Sequence, residues 1–201
     1  VPGVYTVTVE LGGTRAQTTV EVRGDPRVEI PMDDRLANLR GAEALGRLEE
    51  RIALGIDRIT RVRADLGTAR ERVARSGTAV REESRKAFEE RASSLESALL
   101  EAEKGLWTPP GTKGIRDDAN ASSLLGTASW KLTSSWRRPT PGQLRRLERA
   151  AGAVDAAIAR LDRVVAEEYA ALRSAVAAME LELVPVLPPL GVPDGERVGG
   201  D

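Results

Sequence analysis

A chain of 201 residues with 30 basic and 31 acidic side chains has a net charge of -1, which excludes the strong field of a nucleic-acid or membrane-surface binder. With neither Cys nor His, it also lacks the groups for thiol nucleophiles, imidazole relays and Cys/His zinc sites. Aromatic residues make up 3%, and Ala, Leu, Arg and Glu dominate, which is the composition of long helices packed by aliphatic side chains.

The first element in chain order is a β-hairpin. Tyr5, Val7, Val9 and Leu11 alternate with Thr6, Thr8 and Glu10, the period of a half-buried strand. Gly12-Gly13 suits a two-residue turn that needs positive φ. That turn sets Leu11 opposite Thr14, Val9 opposite Ala16, Val7 opposite Thr18 and Tyr5 opposite Val20. One face is then largely apolar, and two strands alone are marginal in water.

After Pro31 the period becomes helical. Asp33 or Asp34 is the expected N-cap, followed by Leu36, Leu39, Leu45, Leu48, Ile52, Ile56, Ile59, Leu66 and Val73. This helix is expected to run about 60 Å at the α-helical rise. Ser76-Gly77-Thr78 reads as a turn, and a second helix carries Phe88, Ala92, Leu95, Leu99, Ala102 and Leu106. A Pro/Gly loop from Trp107 follows, and Asp118 or Asn120 caps a short third helix with Leu125, Ala128, Leu132 and Trp136 on one side. Thr140-Pro141-Gly142-Gln143 is a capping box with Pro at N1. It opens a fourth helix whose apolar positions run from Leu144 through Val154, Ile158, Leu161 and Leu172 to Leu183. Pro185, Pro188 and Pro189 end it. Three segments result: a hairpin over 1–30, a helical bundle over 33–184 and a Pro/Gly-rich tail over 185–201. The fold class is mainly α, an elongated antiparallel bundle with coiled-coil-like packing. Charged residues such as Glu49, Glu50, Arg51, Arg70, Glu71 and Arg72 read as solvated, and no run is long enough for a membrane span.

Most short motifs are better explained locally. Arg23-Gly24-Asp25 is the tripeptide that integrins read, but it stands where a strand leaves for a turn. The stretch around Lys113 lacks the strand and the Ser/Thr of a phosphate loop. Asp117, Asp118 and Asn120 lack the alternation of a calcium loop. Carboxylate pairs for glycoside hydrolysis would need a cleft, and here they lie among arginines. No catalytic residue, metal site or cofactor is assigned. The one charge anomaly is Lys131, Arg137, Arg138, Arg145, Arg146 and Arg149, opposed only by Glu148 and interleaved with Trp130 and Trp136. Arg beside aromatics suits an acidic polymer or partner, but the patch reads first as Trp136 closing the bundle end with the arginines solvated or paired to neighbouring helices.

The order of pieces resembles the C-terminal region of bacterial secreted sortilin-like β-propeller proteins, often labelled glycosyl hydrolases. PGVYTVTV, the Gly turn, VEVRGDPRVEI and PTPGQ carry the resemblance, which runs to about Leu190. It implies that the hairpin closes an immunoglobulin-like sheet whose other strands, with the propeller, lie upstream. It also implies an extracellular or periplasmic location and a hydrolase active site, if any, upstream. The expected role is a non-catalytic structural or association module. Its partners are the upstream propeller and sheet domain, and a second copy joined through the helices. The alternative is a binding module using residues 130–149. Nucleic acid is not an expected partner. Leu48, Ile52, Ile59, Leu95, Leu99, Val154, Ile158, Leu161 and Leu172 are the expected packing residues.

Overall fold

The computed structural model describes residues 1–109, 111–112 and 119–181. The hairpin consists of β1 (Gly3–Leu11) and β2 (Thr14–Val22) in an antiparallel pair. Its register is the expected one, with Leu11 opposite Thr14 and Tyr5 opposite Val20. Gly12 and Gly13 take φ of +55° and +81°, values that an L side chain resists. No third strand joins the sheet among the described residues.

Helix α1 spans Met32–Arg75, α2 Glu82–Leu106, α3 Ala121–Thr133 and α4 Pro141–Val164. A π-helical turn at Val165–Tyr169 leads into α5, Ala170–Ala177. Buried positions on α1 are Gly41, Leu45, Leu48, Ile52, Gly55, Ile59, Val62, Leu66 and Val73. Those on α2 are led by Phe88, Ala92, Leu95, Leu99, Ala102 and Leu106, while α4 buries Ala150, Val154, Ala157 and Leu161. Steps of four and three alternate on all three helices, the spacing of a coiled-coil seam. Ile56 is the residue expected on this seam, but Gly55 holds the position and Ile56 lies half-buried beside it. Glycine there lets two helices close in: a Cβ on Gly55 would lie 3.1 Å from both Ile158 Cδ1 and Leu106 Cδ1. Gly41 does the same for α3, since a Cβ there would lie 2.9 Å from Leu132 Cδ1.

Cross-helix bonds fix the directions. Arg51 bonds Asp155 at 2.6 Å, Arg58 bonds Asp162 at 2.8 Å, and the Tyr169 hydroxyl donates to Asp65 at 2.7 Å. The partners are 104 residues apart each time. Rungs one heptad apart at constant offset mean that α1 and α4–α5 run parallel. Pairs Arg63–Glu103 and Arg70–Glu96 fall in offset instead, so α2 runs antiparallel to α1. Leu132 of α3 reaches Gly41 near the start of α1, so α3 also descends. The bundle therefore has three limbs: α1 up, α2 then α3 down, α4–α5 up. Arg51 and Arg70, expected as solvated, are rungs of this lattice. Each such exposed pair is worth little by itself, but together they fix register.

Several expected boundaries shift. Pro31 is the N-cap of α1, and Asp33 and Asp34 fall in its first turn, where carboxylates complement the helix dipole. Asn120 caps α3 by accepting from the Ser123 N–H at 2.9 Å; Asp118 lies outside the described residues. The capping box is formed, with Thr140 accepting from Gln143 N and Gln143 Oε1 accepting from Thr140 N. The fourth helix stops at Ala177 rather than running to Leu183, with a π-helical turn inside it; Leu183 and the Pro/Gly-rich tail lie outside the described residues. Ile158 is half-buried at a groove rim, whereas Val154 and Leu161 are enclosed. Leu36 and Leu39 are 37% and 39% exposed, and Leu144 is 42% exposed. These three belong to the hairpin end of the rod and not to its core.

The corner between α1 and α2 is held by Arg85. Its guanidinium donates to the carbonyls of Val73, Gly77 and Val80 and to Ser76 Oγ. One side chain thereby satisfies carbonyls that the helix end leaves open.

Candidate functional site

Among the described residues the large exposed apolar side chains are distributed unevenly. All except Leu54 and Leu100 belong to the hairpin, its linker or the adjoining end of the bundle. That end is organised by Asn38. Its amide nitrogen donates to the carbonyls of Leu132, Ser135 and Arg137 at 3.3, 2.9 and 3.3 Å. The turn after α3 is thus clamped onto α1, and Gln143 Nε2 adds a 2.6 Å bond to Lys131 O from the start of α4.

The clamp places Trp136 in the wall of a cavity of about 570 Å³ between bundle and hairpin base. Its walls are Val22, Leu39, Ala42 and Trp136, with Arg23, Asp25, Arg35 and Asn38 as polar members. The volume lies in the range of small-molecule sites. Arg35 is half-buried and donates through Nε to Ile30 O at 3.3 Å. A Cβ on Gly24 would lie 3.4 Å from Arg35 Nη2, so glycine leaves that guanidinium uncovered.

The sequence patch does not converge as a unit. Trp136, 60% exposed, is its only member in the cavity wall. Trp130, 67% exposed, pairs with Lys131, whose Nζ lies 4.3 Å from the ring centroid, a cation–π contact. Arg138 is engaged by Asp34 at 2.8 Å, and that carboxylate raises its pKa. Arg137 supplies backbone groups to the turn, its carbonyl to Asn38 and its N–H to Ser135 Oγ. Arg145, Arg146 and Arg149 stand on the exposed face of the first turns of α4. Asn38 and Arg35 were missed because a single polar residue on a long helix gives no pattern. The available signal was an amide on the otherwise apolar flank between Leu36 and Leu39.

The tripeptide Arg23-Gly24-Asp25 is used internally. Arg23 pairs with Glu21 at 2.7 Å. Asp25 accepts from the Arg27 backbone and from its guanidinium at 2.9, 3.0 and 2.8 Å, bonds that lower its pKa. The Val28 N–H closes the turn on Asp25 O. Lys113, Asp117 and Asp118 fall outside the described residues. Among those described, no three acidic side chains gather where an ion could sit, and no helix is long and apolar enough to cross a membrane.

Comparison with family models, curated proteins and solved structures returns no match for the chain.

Proposed function

We propose that the chain is a non-catalytic structural and association module, a three-limbed rod that presents a β-hairpin for incorporation into a larger sheet. One observation carries this reading: all nine residues of each strand are exposed, including Tyr5, Val7, Val9 and Val20 on the apolar face. Such a face and two open edges are a liability unless something covers them. On the resemblance set out above, the cover is the sheet domain of a secreted sortilin-like propeller protein. Any hydrolytic centre then lies in that other part.

Hydrogen exchange tests this. In the 201-residue chain, amides of residues 4–21 should be the least protected of all strand and helix residues. Adding the preceding residues of the parent protein should slow them markedly, with little change over 144–161. Equal protection of hairpin and bundle in the chain alone would sink the reading.

A second reading is favoured by the Trp136 cavity and the basic start of α4: this end binds an acidic polymer or partner. It requires affinity that falls steeply with salt, and a titration with a polyanion at two ionic strengths decides it.

A further inference from the structure

The open edge of β2 has a charge pattern that selects a particular partner. A two-residue turn closes on a hydrogen-bonded pair, here Leu11 and Thr14, and such pairs then alternate along the ladder. Val9–Ala16, Val7–Thr18 and Tyr5–Val20 are accordingly the bonded pairs of the observed register. The N–H and C=O groups of Arg15, Gln17, Thr19 and Glu21 therefore point away from β1, along an edge with no strand beside it among the described residues.

We propose that this edge pairs with the same edge of a second copy, antiparallel about a two-fold axis at Thr18. In that register Arg15 faces Glu21 of the second copy, and Glu21 faces Arg15, so both charge pairs are attractive. Gln17 faces Thr19, so each outward N–H meets a carbonyl. On the other face Ala16 meets Val20 and Thr18 meets Thr18, which continues the apolar surface of Tyr5, Val7 and Val9 across both copies. Opposite charges and β-branched pairs directly across strands are the favourable cross-strand contacts. The other edge lacks this complementarity, because β1 pairing with itself about Val7 sets Glu10 against Val4. Pairing β1 on β2 of a copy would not close, and would run on as a fibre. The antiparallel arrangement also sends the two bundles from opposite ends of a four-stranded sheet. This inference rests on the reading of the hairpin as an association element. It assigns β2 to the second copy and leaves β1 for the preceding sheet.

The test uses the 201-residue chain. Sedimentation equilibrium up to about 1 mM, an ordinary weak-complex range, should show a monomer–dimer equilibrium. Amides of Arg15, Gln17, Thr19 and Glu21 should gain exchange protection with concentration, while those of Val4, Thr6, Thr8 and Glu10 do not. Arg15→Glu alone and Glu21→Arg alone each place like charges opposite, and should weaken the dimer about tenfold. An equimolar mixture of the two variants restores both attractive pairs between the copies and should recover most of the lost affinity, the remainder being the contact of Arg15 with Glu10 at 3.5 Å within its own hairpin. Recovery can occur only if the hairpins of both variants are folded. Thr19→Pro removes one outward N–H and keeps the β1 ladder; it should abolish association. A chain that stays monomeric overturns the inference. So does a dimer without β2 protection, or a mixture that recovers nothing while the Tyr5–Val20 cross-strand contact is intact by NMR. The association reading itself fails on a different result, equal protection of hairpin and bundle in the dilute chain alone.

Discussion

Glu103 is the only buried acid among the described residues, with a side chain 6% exposed. It accepts from Arg63 at 2.6 Å and from Trp107 Nε1 at 3.1 Å. Burial pushes its carboxyl up, but the two donors and the nearby guanidinium outweigh it, and the net pKa lies below the ordinary 4.5. The unfolded chain therefore takes up this proton more readily than the folded one. The stabilisation is fully present above about pH 4.5 and is lost as pH falls through the lower, folded value. Glu103→Gln should accordingly lose less melting temperature than the parent between about pH 5 and pH 3. Thermal melts of the two proteins across that range check it, and parallel curves would mean that the pair contributes nothing.

At the level of elements, the approach of helices is set by where side chains are missing. A Cβ at Gly55 meets Ile158 and Leu106, whereas one at Gly46 or Gly67 meets nothing within 4 Å. Gly46→Ala should then stabilise by about 0.5–1 kcal/mol through helix propensity. Gly55→Leu should destabilise by about 1–3 kcal/mol through overpacking. Denaturant melts of both variants measure the contrast, and equal signs would refute the seam assignment. These glycines also show what could be read in advance. Hairpin register, the capping box and the apolar phase of α2 follow from periodicity and turn chemistry, so they were legible in the sequence; on α4 Ala157 holds the seam position expected for Ile158, but Val154 and Leu161 were legible. Gly41 and Gly55 were not, because a seam position filled by hydrogen carries no hydrophobic signal. The π-helical turn after Val164 was equally hidden, since the apolar spacing continues through it. The cavity at the hairpin base joins Arg23 and Arg35 to Trp136, and contacts so distant in sequence leave no mark on local spacing.

For the whole molecule, α1 and α4–α5 are continuous columns, while the descending limb is two pieces, α2 and α3. Their junction is stitched by Asn120 donating to Thr108 Oγ1 at 3.0 Å. Leu106 and Gly55 mark its level on the rod. Below it, α3 packs against α1 and α4 through Leu125, Ala128 and Leu132; above it, Leu95, Leu99 and Leu172 lie in the same core cluster. Leu132 is 1% exposed, and Leu132→Ala should cost about 2–4 kcal/mol. Its effect on exchange should fall on residues 38–45 and 121–150, and barely reach 85–99. Uniform loosening along the rod would contradict that expectation.

The split limb makes the protein behave like a ladder with one rail sawn through halfway. Force or strain applied at the hairpin enters the lower storey first. Only two unbroken rails pass it upward, and the upper storey, with its own Arg85 corner and Arg70–Glu96 brace, can stay shut while the lower one gives.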